Sequence, residues 1–188
     1  VSLDMVLVKY YFNPQDAGVY ALAQMVGKIF LFQPLAISTV MFPRVSGLKA
    51  KNMDTASTLQ RSLLYAAVLC VISILGYNLF PRFILKILTG KVISESITLG
   101  RFFSISMSFF TLLYILINYF LSQKDLRFIK YLVLLTLLQF FAIALFHQSL
   151  IQIQLILCIN AILLFVIHFV LAFKKRLIPK QGTVPILI

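Results

Sequence analysis

The stretch GVYALAQMVGKIFLFQPLAISTVMFP, residues 18–43, decides the fold class of this chain. It is long enough to cross a bilayer, because a spanning helix needs about 20 apolar residues. It is apolar almost throughout, yet Lys28 lies near its middle. On insertion scales a lysine at the centre of a spanning helix costs about 2.5–3.5 kcal/mol, so such a residue faces protein or a water-filled cavity. Lys28 is therefore the first candidate functional residue.

The same stretch carries a polar stripe and a proline. Tyr20 and Gln24 precede Lys28 at intervals of four residues, and this spacing places all three side chains on one helix face. Pro34 has no N–H to donate to the carbonyl of Phe30, so a bend is predicted there. The stretch is thus predicted to form a bent spanning helix, with Pro34 as its hinge.

Composition places the whole chain in a membrane. Of its 188 residues, 61% are hydrophobic and 12% are charged, and the mean hydropathy is +1.00. A soluble domain has about 45–50% apolar and about 25% charged residues, so a soluble enzyme is excluded. The net charge of +12 comes from basic residues in short segments between apolar runs. That distribution is typical of membrane orientation by the positive-inside rule, and no nucleic-acid partner is expected.

The apolar runs predict an all-α, polytopic transmembrane helix bundle. It has five full spans and the end of a sixth, and the chain is expected to be a fragment of a longer one. The transmembrane domain is predicted over residues 1–176 and a cytoplasmic tail over 177–188. The predicted spans are 1–12 (partial), 17–42, 58–80, 97–121, 128–146 and 150–173.

Basic residues predict the orientation. If the helices alternate, the basic segments 44–51, 124–130 and 174–180 all lie on one side. The turns at 12–16 and 147–149 lie on the other side and contain no lysine or arginine. The positive-inside rule therefore predicts a cytoplasmic C-terminus.

A second polar stripe runs along residues 101–122. Its members recur at intervals of three or four, apart from one apolar position: Arg101, Ser104, Ser108, Thr111, Asn118 and Ser122. The hydroxyls either bond to carbonyls of their own helix and allow close packing, or they serve a functional surface. Asn118 is harder to explain by packing, because a buried amide needs hydrogen-bond partners. Arg101 and Asn118 are therefore candidate cavity residues.

Catalytic chemistry is poorly supplied. The chain has no nucleophile–base constellation, no glycine-rich phosphate loop and no metal-binding motif, so no enzyme activity, metal or cofactor is expected. Of five acidic residues, only Asp4 could lie at membrane depth. The membrane region offers a cation, amides and hydroxyls, a surface that suits an anionic, hydroxyl-rich ligand such as a phosphate-bearing glycan.

Four segments resemble a known family of membrane transporters. They are DMVLVKYYF-x-P-x-DAGVYALAQ (4–24), GKIFLFQPLAISTVMFPRVS (27–46), LFPRFILKILTG (79–90) and NYFLSQKDLRF (118–128). They are similar to the bacterial polysaccharide exporters and O-antigen flippases of the multidrug/oligosaccharidyl-lipid/polysaccharide exporter superfamily. The resemblance covers about residues 2–128, and the last two helices match only in hydropathy.

The resemblance implies a MATE-like transporter of two six-helix lobes that works by alternating access. This chain would be the C-terminal lobe, with the N-terminal lobe as its partner, in the bacterial cytoplasmic (inner) membrane among membrane lipids. The implied substrate is an undecaprenyl-diphosphate-linked glycan. The first two helices of each lobe line the family's cavity, and the matching positions are Asp4, Lys9, Gln24 and Lys28.

Other functions remain open. A lipid II flippase is a close sibling of this family, and a MATE-type drug or cation antiporter is another relative. The antiporter would need acidic residues in its cavity, for which Asp4 is the only candidate. In a membrane scaffold without transport, Lys28 would instead belong to a structural ion pair.

Overall fold

The computed structural model describes residues 3–174, apart from the side chains of Leu3 and Gln33, and every regular element in that part is helical. The helices are α1 (Leu3–Tyr11), α2 (Pro14–Ala50), α3 (Ala56–Leu79), α4 (Pro81–Thr89), α5 (Ser94–Ser122), α6 (Ile129–Leu145) and α7 (Leu150–Lys174). The all-α prediction is confirmed for these residues. The predicted tail at 177–188, the side of the C-terminus and the first two residues of the partial span lie outside them.

Four of these helices are long and apolar enough to cross a membrane: α2, α3, α5 and α7. Helix α6 is also apolar but has 17 residues, so it is shorter than the other four. The multi-pass character is therefore supported, whereas the fifth full span and the two-lobe architecture stay predictions. Helix α1 has 9 residues in the described part of the chain, and the partial span stays a prediction.

Helix α2 is longer than predicted. It continues through Pro34 and Pro43 to Ala50, so the predicted end at residue 42 is wrong, and residues 44–50 of the basic segment belong to the helix. A proline inside a helix costs about 3 kcal/mol, which local signals alone do not offset. Here Met41 and Val45 are buried against α3 and α5, and this packing holds the helix together beyond Pro43.

Helix α5 lies at the centre of the bundle and packs against α2, α3 and α7. Its contact with α2 is close because Gly27 has no side chain. A Cβ atom at Gly27 would lie 2.9 Å from Cγ of Met107 and 3.2 Å from Cδ1 of Phe103. On α3, the small residues Ser62 and Ala66 are likewise buried. The bundle is thus held by small residues that let neighbouring backbones approach, as is usual between membrane helices.

Helix α4 separates the two spans on either side of it. Pro81 stands at its start, and Gly90 ends it with a positive φ of 70°, a conformation that favours glycine. Arg82 and Lys86 are both exposed, while Leu85 is fully buried. Helix α4 is therefore short and amphipathic, as is typical of helices at a membrane interface.

Candidate functional site

The turn between α1 and α2 reverses the chain and brings their side chains together. Asn13 caps α2 by accepting a hydrogen bond from the backbone N–H of Asp16 at 2.8 Å, and Pro14 occupies the first helical turn. The two helices then run antiparallel. Asp4, near the far end of α1, consequently lies beside the first third of α2.

Asp4 is buried in a hydrogen-bonded cluster. Its Oδ2 atom accepts a bond from the hydroxyl of Tyr20 at 2.9 Å and another from Nε2 of Gln24 at 3.1 Å. Tyr20 packs edge-on against Phe103 of α5, with ring centroids 5.1 Å apart. The predicted site residues Asp4 and Gln24 are therefore brought together, and Tyr20 is a further member of this group. We call these three residues the Asp4 cluster.

The other oxygen of Asp4 has no hydrogen-bond partner among the described residues. Asp4 also borders a cavity of about 260 Å³ between α2, α5, α6 and α7. Most of the cavity wall is apolar, and its polar side chains besides Asp4 are Tyr114, Thr136 and Gln139. A buried carboxylate is stable only if it is protonated or bound to positive charge. The geometry therefore allows Oδ1 to hold a proton or a small cation on the cavity side.

Lys28 points away from this cluster. It is exposed and lies on the same outer side of α2 as Met25 and Phe32, which are 44% and 70% exposed. In residues 3–174 the only ion pair joins Arg127 to Asp125, at 4.0 Å, so Lys28 has no ionic partner there. The outer side of α2 thus combines apolar side chains with an unneutralised cation. We call it the Lys28 face.

Lys9 and Arg101 are also exposed, but the structure does not gather the three cations into one site. Asp4 bonds to Tyr20 and Gln24, so it lies level with about residue 22 of α2. Lys9 comes five residues later in α1, and because the two helices are antiparallel it lies level with about residue 17 of α2. At a helical rise of about 1.5 Å per residue, Lys28 is about 17 Å further along the helix. Lys9 and Lys28 are therefore too far apart to bind one phosphate group together.

The polar stripe of α5 is used mainly for packing. Within α5, Ser104 donates to the carbonyl of Arg101 at 2.7 Å, and Ser108 donates to that of Ser104 at 2.7 Å. Asn118 is half-buried and donates to the carbonyl of Tyr114 at 2.8 Å, so its amide has a partner. The packing interpretation accounts for these bonds, while cavity roles for Arg101 and Asn118 stay predictions.

Thr111 is the exception in this stripe, because it bonds to another helix. Its hydroxyl donates to the carbonyl of Phe30 on α2 at 2.8 Å. That carbonyl is the one that Pro34 leaves without its usual backbone donor. The predicted hinge position is therefore joined to α5 by a side chain, and its role as a hinge stays a prediction.

Several buried polar contacts were not anticipated from the sequence. Gln154 of α7 donates to the hydroxyl of Ser106 at 3.0 Å, and Asn160 donates to Gln139 of α6 at 2.5 Å. The only sequence signal for these contacts was the presence of amides within an otherwise apolar run. A groove between α2 and α3 that contains two arginines, Arg44 and Arg61, was also missed, because the helix was predicted to end at residue 42, before Arg44.

Comparisons with protein-family models, with curated proteins and with solved structures find no match to this chain. The family resemblance therefore stays a prediction from the sequence.

We expect Thr111→Val to destabilise the bundle by about 1 kcal/mol, because it removes the donor of a typical membrane-helix hydrogen bond to the carbonyl of Phe30. The loss should appear as a lower midpoint of thermal unfolding in detergent. Thr136→Val is the matched control, since Thr136 is exposed and bonds to the Leu132 carbonyl of its own helix. Equal midpoints for the two variants would contradict a special role for the Thr111 bond.

Proposed function

We propose that this chain forms one lobe of an exporter that moves a lipid-linked oligosaccharide across the bacterial cytoplasmic membrane by alternating access. The observation that carries the proposal is the exposure of Lys28 in a membrane-spanning helix, without an ionic partner among residues 3–174. A cation at that depth cannot face hydrocarbon without a large free-energy cost. The Lys28 face therefore needs a water-filled cavity, and a second lobe opposite this one would supply its other wall.

An anionic substrate fits such a face. In the proposal, the ammonium group of Lys28 attracts the diphosphate of an undecaprenyl-linked glycan. The glycan passes through the cavity while the lipid tail remains in the bilayer. Lys9, about 17 Å away along the helix axis, forms a second contact nearer the α1–α2 turn. Such a transport step requires binding and release but no catalytic residue.

The Asp4 cluster supports a separate role in energy coupling. Asp4 and Gln24 are 2% and 5% exposed, so in the proposal they do not touch the glycan. Protonation or cation binding at Asp4 would change the charge between α1 and α2. Because both donors to Asp4 come from α2, the change would alter how these two helices pack. Coupling by this route links a cation gradient to the movement of the lobe.

A drug or cation antiporter is the second candidate function. It is favoured by the buried carboxylate of Asp4 beside a largely apolar cavity of about 260 Å³. Such a pocket suits an amphipathic cation, whereas Lys28 suits an anion. The lipid II flippase shares the anionic diphosphate with our first candidate, so it also fits the Lys28 face. Substrate charge therefore separates the antiporter from the flippases.

Lys28→Ala should abolish glycan export without reducing the amount of protein in the membrane, because the diphosphate loses its positive partner. Export can be measured as surface polysaccharide in a strain whose own copy of the gene is deleted. Lys28→Arg should retain export, and Lys86→Ala should have no effect, since Lys86 is an exposed lysine on α4. Normal surface polysaccharide with Lys28→Ala would remove Lys28 from the mechanism.

Asp4→Asn should leave the fold intact and lower export by about tenfold or more, because an amide accepts the same hydrogen bond but cannot gain or lose charge. Transport into vesicles should be measured with and without imposed proton and sodium gradients. The gradient response should vanish in Asp4→Asn and persist in Asp16→Asn, where the half-buried carboxylate lies at the start of α2 and accepts a hydrogen bond from Asn13. A full gradient response in Asp4→Asn would show that coupling occurs elsewhere.

A further inference from the structure

A groove of about 570 Å³ lies between the second half of α2 and the first half of α3. Six of its residues carry polar side chains: two arginines and four residues with hydroxyl groups. These residues are Arg44, Ser57, Thr58, Arg61, Ser62 and Tyr65. We call this the α2–α3 groove. It belongs neither to the Asp4 cluster nor to the Lys28 face, because Arg44 is about 24 Å along the helix from Lys28 at the usual rise per residue.

The two arginines lie at the same height in the groove. Arg44 comes six residues before the end of α2 at Ala50, and Arg61 comes five residues after the start of α3 at Ala56. Both are therefore about 8–9 Å from the connection between the helices. Because the helices are antiparallel neighbours, the guanidinium groups can reach one ligand from two sides. A phosphate matches the planar, forked donors of arginine.

The positive charge of the groove is not neutralised by the described part of the chain. Among residues 3–174, neither Arg44 nor Arg61 forms an ion pair. Asp54 is the acidic residue nearest in sequence to the two arginines. Its Oδ1 accepts a hydrogen bond from the backbone N–H of Ala56 at 3.0 Å, at the start of α3. Both arginines are exposed, so an anion can approach them.

The groove continues into an apolar surface. Ile37 and Val40 line its α2 side, and beyond Tyr65 the same face of α3 exposes Val68 and Ile72, which are 50% and 59% accessible. Val68 and Ile72 belong to the uncharged run 62–80, so hydrocarbon is their natural surrounding. A small soluble anion would make no use of this wall. A lipid presents a phosphate directly beside its acyl chains and therefore matches both parts of the groove.

We propose that the α2–α3 groove binds an anionic membrane phospholipid, with Arg44 and Arg61 on the phosphate and an acyl chain along the apolar wall of α3. The bound headgroup adds a further link between α2 and α3, which already pack against each other and are joined by the short segment 51–55. Binding therefore stabilises this arrangement of α2 and α3 through mass action. The site does not depend on the proposed export function, since it rests on different residues.

The test uses the full chain in phosphatidylcholine nanodiscs that contain a minor fraction of photoreactive phosphatidylglycerol. After illumination, the labelled peptide is identified by mass spectrometry, and we expect it to lie within residues 36–65. Arg44→Ala and Arg61→Ala should each lower this labelling about fivefold. The reason is that one basic residue near an anionic leaflet contributes about 1 kcal/mol of binding free energy. Lys49→Ala is the matched control, because Lys49 is exposed on the last turn of α2 but does not line the groove.

Three results would overturn the proposal. The first is labelling of the unmodified chain mainly outside residues 36–65. This result needs no variant, so a folding defect cannot explain it. Equal losses in Arg44→Ala and Lys49→Ala would show diffuse attraction to positive charge. Displacement of the label by undecaprenyl diphosphate at far lower amounts than by unlabelled phosphatidylglycerol would assign the groove to the transport substrate. Labelling that persists in Lys28→Ala would show that the groove works independently of export.

Discussion

In a bilayer, every backbone polar group must find a hydrogen-bond partner within the protein. The hydrogen bond from Thr111 to the carbonyl of Phe30 satisfies this requirement at the one carbonyl of α2 that Pro34 leaves unpaired. Pro34 leaves this carbonyl without its backbone donor, and in hydrocarbon no water can replace it. The bond of 2.8 Å therefore ties α2 to α5 at the middle of the bundle. Gly27 lies one helical turn before Phe30 and allows the two backbones to approach there. Because α5 also packs against α3 and α7, this bond joins α2 to the helix that contacts every other long helix.

Burial separates the ionisable groups of α1 and α2 into two sets. Asp4 faces inward, where Tyr20 and Gln24 bond to it, while Lys28 and Lys9 face outward. The two sets lie on one pair of helices, so a change of charge at Asp4 acts on the same helices that carry the lysines. In our proposal this arrangement connects a coupling site to a substrate-facing surface without direct contact between them. A third polar surface, the α2–α3 groove, lies at the other end of α2.

Much of the fold could be predicted because hydropathy and helix length decide it. Helices α3, α5, α6 and α7 begin and end within a few residues of their predicted bounds. The end of α2 could not be predicted, because the burial of Val45 outweighs the local effect of Pro43. Asp4 and Gln24 were each identified from the sequence, but their contact depends on how α1 packs against α2. The α2–α3 groove was missed because α2 was predicted to end before Arg44.

The central claim is that the Lys28 face meets water rather than lipid. Single cysteines at Met25, Lys28 and Phe32, in a chain that also carries Cys70→Ala and Cys158→Ala, can be treated with a charged, membrane-impermeant thiol reagent. Cysteines at Val71 and Leu137, which are 54% and 52% exposed near the middles of α3 and α6, provide the lipid-facing comparison. The account predicts rapid labelling of all three α2 positions and little labelling of the two comparison positions. Equally slow labelling at all five positions would contradict it.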